Sequence, residues 1–227
     1  SNNLYKKLEK ETGQSTGFHE CGSLRIAYKK EDLDWFKYVK GILDNIGAPS
    51  EIISTNQIRK VHPFIKLDGI LGAFHTPDDG HTDPTSTTNA MAKGARNYGA
   101  KIYRKNRVTD IKHLNSGEWK LITEKGDVIC EHVVNAAGSY GPEVGAMVGL
   151  KNIPSINMIH HYLVTDEHSS IAKLEKELPV VRDPEASAYL RQEGKGLLIG
   201  PYEKDAKAWA LEGMDWKFDM ELLEPDL

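Results

Sequence analysis

The pair His160-His161, followed by Tyr162, offers the strongest proton chemistry in this sequence, because an imidazole titrates near neutral pH. In an extended segment the two-residue period sends His160 and Tyr162 to one face and His161 to the other. The plain alternative is a core-facing histidine with one satisfied hydrogen bond. Tyr202 follows Pro201 at the end of an expected strand, where functional side chains gather; an ordinary edge aromatic is the alternative there. Asp79-Gly-His-Thr-Asp83 has the form of a ligand cluster, but it lacks the later glutamate of a calcium loop. His81 and Asp83 alone make a poor metal site, so a turn followed by a helix cap is expected, with no metal. Asn135-Ala-Ala-Gly138 places small residues where a flat ligand or another backbone can come close, and tight strand–helix packing explains the same pattern. Gly194, Gly196 and Gly200 are spaced somewhat like a dinucleotide loop. Residues 197–199 are too short and apolar for the helix that must follow, and Pro201 breaks it, so a hairpin turn is expected. No Gly-x-Gly-x-x-Gly loop, the usual cradle of a pyrophosphate, follows a strand.

The elements that position these residues are partly legible. Apolar residues at three- and four-residue steps predict a helix over 31–46, stopped by Gly47, and an amphipathic helical turn or two over 4–11. Ser54 or Thr55 caps a short helix that ends before Pro63. Asp83 caps another with Pro84 at its first position, running to about Tyr98. Proline early in the first turn marks a helix start at 142–148. Strands are expected over 22–28, 69–76, 100–103, 107–114, 119–123 paired with 128–130, and 133–138 as a short buried strand ending in glycine. Residues 156–165, 188–191 and 197–199 alternate like an antiparallel sheet turned at Gly194-Lys-Gly196.

Length and composition bound the class. The 227 residues make one large domain or two small interleaved ones, at about 150 residues each. With 39% apolar and 27% charged residues, 20 Gly and 10 Pro, the chain is neither collagen-like nor disordered. No apolar run approaches the ~20 residues of a membrane span, and no signal-peptide pattern opens the sequence. The net charge is −4, and acids concentrate after residue 202, which argues against a nucleic-acid footprint. Cys21 and Cys130 match no zinc or redox spacing, as in a reduced cytosolic-type protein. There is no internal repeat. The expected class is α+β (mixed α/β), with an α/β insert at 85–150 between two pieces of a second domain, 1–84 and 151–227.

Three stretches carry a family resemblance: Asp79-Gly-His-Thr-Asp-Pro84, Val133-Val-Asn-Ala-Ala-Gly138, and a block from His160 to Glu203. The block contains Leu178-Pro-Val-Val-Arg-Asp183, Tyr189-Leu-Arg-Gln-Glu193 and Gly196-Leu-Leu-Ile-Gly-Pro-Tyr-Glu203. With Glu11-Thr-Gly-Gln14, Gly17-Phe-His19 and Gly22-Ser-Leu-Arg25, they resemble the dimethylglycine and sarcosine dehydrogenase branch of the FAD-dependent amine oxidoreductases related to D-amino-acid oxidase. The resemblance covers nearly the whole chain. It implies an antiparallel-sheet substrate domain in pieces 1–84 and 151–227, and a partial Rossmann-type FAD domain at 85–150 without its N-terminal glycine loop. It further implies an internal fragment, inactive alone, whose phosphate loop and flavinylated histidine lie elsewhere. The implied reaction is oxidative demethylation of dimethylglycine or sarcosine by hydride transfer to flavin. His160 and Tyr202 fall on the family's catalytic histidine and tyrosine. Val108, Ala136, Ala137 and Gly138 fall where members touch FAD. Arg191 is a candidate for the substrate carboxylate, although a structural salt bridge is the simpler reading. A folate or electron-transfer partner would act through regions outside the chain, with no nucleic acid or membrane involved. The resemblance implies bacterial-type cytoplasm or the mitochondrial matrix. Two alternatives from other classes are a non-catalytic regulatory homologue of the same fold and a cofactor-free domain that binds a small carboxylate.

Overall fold

The computed structural model describes residues 2–218 and 221–224. Six helices are α1 (Asn2–Thr12), α2 (Lys30–Asn45), α3 (Thr55–Val61), α4 (Pro84–Asn97), α5 (Gly141–Ala146) and α6 (Ser169–Ala172). The strands are β1 (Ser23–Ala27), β2 (Glu51–Ile53), β3 (Gly72–Thr76), β4 (Val108–His113), β5 (Trp119–Thr123), β6 (Val128–Cys130), β7 (Asn157–Met158), β8 (Leu163–Val164), β9 (Val180–Asp183), β10 (Ala188–Glu193), β11 (Gly196–Pro201) and β12 (Ala208–Trp209). They sort into two compact units. One comprises the described residues up to Lys101 with His160–Lys204, and the other Ile102–Ile159 with the described residues from Asp205 on.

The first unit is built on a seven-stranded sheet of order β2-β3-β1-β9-β10-β11-β8. Every neighbouring pair is antiparallel except β1 and β9, where Leu24 lies opposite Val181 and Arg25 opposite Arg182. Alternation puts Leu24, Ile26, Ile53, Ala73 and Val181 on one face, where they meet Ile58 of α3 and Ile70. Fully burying a side chain such as Ile58 contributes about 1.5–3 kcal/mol. On the other face Phe36 of α2 packs on Phe74 at 5.5 Å between ring centroids, with Ala27 beside them. α2 starts where the Asp32 carboxylate accepts the amides of Tyr28 and Lys29. α3 starts where Gln57 accepts the Ser54 amide. α4 starts as expected, with the Asp83 carboxylate accepting the Ser86 amide at 2.6 Å. It lies against α1, where Gly94 makes room for Leu8 and Thr12. α4 therefore packs with the first unit, whereas the sequence reading places residues 85–97 in the insert. The seams fall at 101/102, 159/160 and 204/205.

The second unit holds the meander β4-β5-β6, the helix α5 and the ribbon β7-β12. The expected pairing of 119–123 with 128–130 is present, Trp119 facing Cys130 and Leu121 facing Val128. Three strand expectations need correction. Residues 100–103 form no strand; Ile102 and Tyr103 are exposed and pair with nothing in a ladder. Residues 133–137 are irregular rather than a buried strand, Gly138 opens a 3-10 turn, and Val134 is 85% exposed, with no strand among the described residues beside them to complete a ladder. Residues 156–165 are not continuous: they give β7 and β8, which belong to different sheets. Three strands with too few residues to show a period, β2, β9 and β12, have no counterpart in the sequence reading.

Candidate active site

The hairpin β10–β11 supplies the floor of the site. Gly194 opens its two-residue turn with φ +57°, the conformation that the first position of a type II′ turn requires. The register sets Tyr189 directly opposite Gly200. A Cβ on Gly200 would run into the Tyr189 ring, so the bare glycine is what lets that ring lie across β11. At the far end of the hairpin the Tyr202 amide donates to Ser187 O and the Ser187 hydroxyl to Tyr202 O. Ser187 accepts a left-handed φ of +51° to close this corner.

Three rings then converge. His160 stacks on Tyr202 at 5.4 Å and 20°, and Tyr189 lies 5.9 Å from His160 and 5.4 Å from Tyr202. His160 Nε2 is 3.4 Å from the Tyr189 hydroxyl, and its Nδ1 is 3.1 Å from Glu203 Oε2. The other Glu203 oxygen takes His161 Nδ1 at 2.9 Å and the His161 amide at 3.0 Å. Donation from its own and the His161 backbone amides, reinforced by the two rings, holds the Glu203 carboxyl at a pKa of about 2. Burial pushes the Tyr189 phenol up, with nearby Tyr202 adding to the shift. The expected opposition of His160 and His161 does not hold. The residues between β7 and β8 are irregular, so no two-residue period operates and both rings reach one carboxylate. Nor is His160 core-facing, since its side chain is 36% exposed.

An ionised carboxylate only accepts, so His160 Nδ1 carries the proton that Glu203 receives and Nε2 presents its lone pair. That arrangement binds or removes a proton at Nε2. The Tyr202 hydroxyl makes no hydrogen bond among the described residues and is free to donate to a ligand. Arg25 and Arg182, opposite each other on the face that also carries Tyr189, have no ion-pair partner among the described residues and add positive charge. Arg191 does not join this group: its guanidinium pairs with Glu193 at 2.5 Å and donates to Gln192 O. Sequence reasoning singled out His160 and Tyr202 but not Tyr189 or Glu203. A tyrosine opposite a strand glycine and a glutamate right after Tyr202 were the available signals.

The residues expected to touch a dinucleotide lie in the second unit. Val108 opens β4 opposite Thr123, just before an irregularity in the ladder. Asn135 Oδ1 accepts the Ala137 amide and its Nδ2 donates to Gly141 O, which pins the loop to the start of α5. Ala136 and Gly138 are exposed, and a Cβ on Gly138 would meet nothing within 4 Å. A loop with no side chain beyond methyl and open space before it fits close approach by a flat group. These residues fit the edge of a dinucleotide site.

Residues 1–224 match the family described as FAD-dependent oxidoreductases. The chain is 42% identical over 99% of its length to the mitochondrial dimethylglycine dehydrogenase of Rattus norvegicus, of which it spans 27%. It is 32% identical over 97% of its length to the human mitochondrial sarcosine dehydrogenase, of which it spans 24%. The chain thus covers about a quarter of these relatives. Among solved structures, the L-proline dehydrogenase of P. horikoshii superposes with a TM-score of 0.75 at 29% identity, over 88% of this chain and 52% of that one.

Proposed function

This chain belongs to the family of FAD-dependent oxidoreductases, and from that premise we propose that it forms part of a flavoenzyme that oxidatively demethylates an N-methylated glycine. The observation that carries the proposal is the convergence of His160, Tyr202 and Tyr189 around a histidine whose proton position Glu203 dictates. The similarity to dimethylglycine and sarcosine dehydrogenases supports the substrate class.

Bound FAD supplies a two-electron acceptor, a capacity that no side chain has. Val108 and Ala136–Gly138 would hold part of it by backbone approach. The chain's own chemistry is proton management and orientation. A secondary or tertiary ammonium has no lone pair, and oxidation at its carbon requires one. His160 Nε2 accepts the ammonium proton, and the resulting imidazolium is stabilised through Nδ1 by the Glu203 carboxylate. The Tyr202 hydroxyl donates to the substrate carboxylate, orienting the amine toward His160 without adding a charge. The rings of Tyr189 and Tyr202 flank the imidazole and fix its orientation.

The test is steady-state oxidation of dimethylglycine and of sarcosine by the full-length protein, with Tyr202→Phe alongside. A hydrogen bond to a charged group is worth about 1.5–3 kcal/mol, so loss of the hydroxyl should raise KM about tenfold to a hundredfold at unchanged flavin absorbance. A full-length protein that binds flavin and turns over neither amine would support the regulatory alternative and sink this one.

A further inference from the structure

We propose that His19, His81 and Glu177 form a binding site for a zinc-type divalent cation. The turn reading of residues 79–83 holds as far as it goes, since Asp83 does cap α4. What residues 79–83 could not show is that the fold brings two further ligands to His81, one from the N-terminal segment and one from the approach to β9. His19 Nδ1 and His81 Nε2 each stand 2.7 Å from a different oxygen of Glu177, and the two rings stack at 4.7 Å and 13°. The three ligand atoms all lie within 4.8 Å of one another.

Backbone geometry makes this a built arrangement. His19 and His81 exchange amide hydrogen bonds of 2.8 and 3.2 Å, Gly22 donates to Asp79 O, and Asp83 donates to Gly17 O. A Cβ on Gly80 would collide with the His19 carbonyl, so only glycine lets the turn sit this close. Glu177 is held from the other side, where Leu178 N donates to the Gln192 side chain and Val180 N to Gly22 O.

Two imidazoles and a carboxylate are the ligand set of three-coordinate zinc sites that keep an open position, and imidazole disfavours magnesium and calcium. Zinc bonds of about 2.0–2.2 Å hold ligand atoms about 3.3 Å apart, which shifts of roughly an ångström in three side chains achieve. Each ring then carries its proton on the nitrogen away from the metal. A cavity of about 230 Å³ adjoins the cluster, with Lys176, Gln192 and Gly194 among its walls. It has room for water in the fourth position. Bound metal would tie the N-terminal segment, the 77–83 turn and the lead into β9 into one clip.

The experiment is calorimetric titration of the chelator-treated full chain with zinc chloride. One equivalent should bind the wild type and raise its Tm. Glu177→Gln keeps the shape and can still accept from the histidines, yet it should weaken binding by at least about tenfold, since even outer-shell partners of metal ligands are worth that much. Glu203→Gln, at the other histidine pair, should leave the titration unchanged. Cobalt(II) in place of zinc should give visible d–d absorption that His81→Gln removes, a readout that holds should Glu177→Gln fail to fold. Absence of stoichiometric binding, or binding indifferent to Glu177→Gln, overturns the proposal.

Discussion

Glu177 and Glu203 each hold two histidines, one on each carboxylate oxygen, and the two sets differ in where the histidines come from and in what else the rings meet. Around Glu177 the histidines come from distant segments, their rings stack face to face, and each closes on one carboxylate oxygen. Around Glu203 the histidines are sequence neighbours, and His160 faces the rings of Tyr189 and Tyr202. His160 Nε2 looks toward Tyr189 at a long 3.4 Å, a contact that a ligand can displace. A glutamate between two imidazoles is therefore not a function in itself. Where the two rings come from distant segments the carboxylate fastens those segments; where the second nitrogen of one ring faces a tyrosine hydroxyl it sets a tautomer.

One substitution at each set is the sharpest way to break that contrast. His160→Ala in the full-length protein should lower amine oxidation by about 10²–10⁴-fold, the usual worth of a positioned acid–base group, and leave flavin content intact. A loss below about threefold would place His160 outside the chemistry. On the other side the frame matters more than any one ring. Gly80→Ala should destabilise by about 3 kcal/mol, the upper end for overpacking, because the obstacle is the backbone carbonyl of His19 and cannot rotate away. Urea denaturation read by circular dichroism checks it, and a cost under about 1 kcal/mol would mean that the turn and the N-terminal segment are not locked together.

The contrast also shows what the sequence could reveal. Helices α2, α3 and α4 were legible because periodicity and caps are local signals, and the Ser54–Gln57 and Asp83–Ser86 contacts span three residues each. The β10–β11 hairpin was legible because Gly194 marks its turn. The second unit was less so. Val133-Val134 reads as a buried strand, since apolar β-branched pairs usually are, but its ladder depends on neighbours that the described residues do not supply. At the candidate site, His160 and Tyr202 stood out through resemblance. Glu203 did not, because its role comes from an irregular segment that turns both histidines the same way. His19 and Glu177 were invisible for a topological reason: the parallel β1–β9 pairing, joining residues 157 positions apart, brings their segments together.

A fifth histidine supplies the case with no carboxylate at all. His62 is 2% exposed, edge-on to Phe64, and neither ring nitrogen has a hydrogen-bond partner among the described residues. Burial pushes its pKa down to about 4. The folded state therefore binds fewer protons than the unfolded chain between pH 6.5 and 4, and stability falls as pH drops through that window. By pH 5 the loss should reach about 2 kcal/mol, and His62→Leu should flatten it. The Glu203 carboxyl, with its pKa of about 2, acts in the same direction at lower pH: its contribution is intact above pH 4.5 and is lost only as pH falls toward 2. Equal acid sensitivity in wild type and His62→Leu between pH 7 and 5 would show that some other group sets it.

The smallest effect on stability should be the most informative about the site. Gly200→Ala meets the far end of the Tyr189 ring rather than backbone, and a half-buried ring can swing aside, so the cost should be about 1 kcal/mol. That swing has a consequence that Gly80→Ala cannot have. Tyr189 leaves His160 Nε2 and changes its 5.4 Å approach to Tyr202, while Glu203 still holds Nδ1. Orientation of the substrate should suffer more than proton acceptance, so KM should rise with kcat nearly constant. A fall in kcat at constant KM would mean that Tyr189 acts on the proton itself through its 3.4 Å contact, and that the site has two proton-handling groups instead of one.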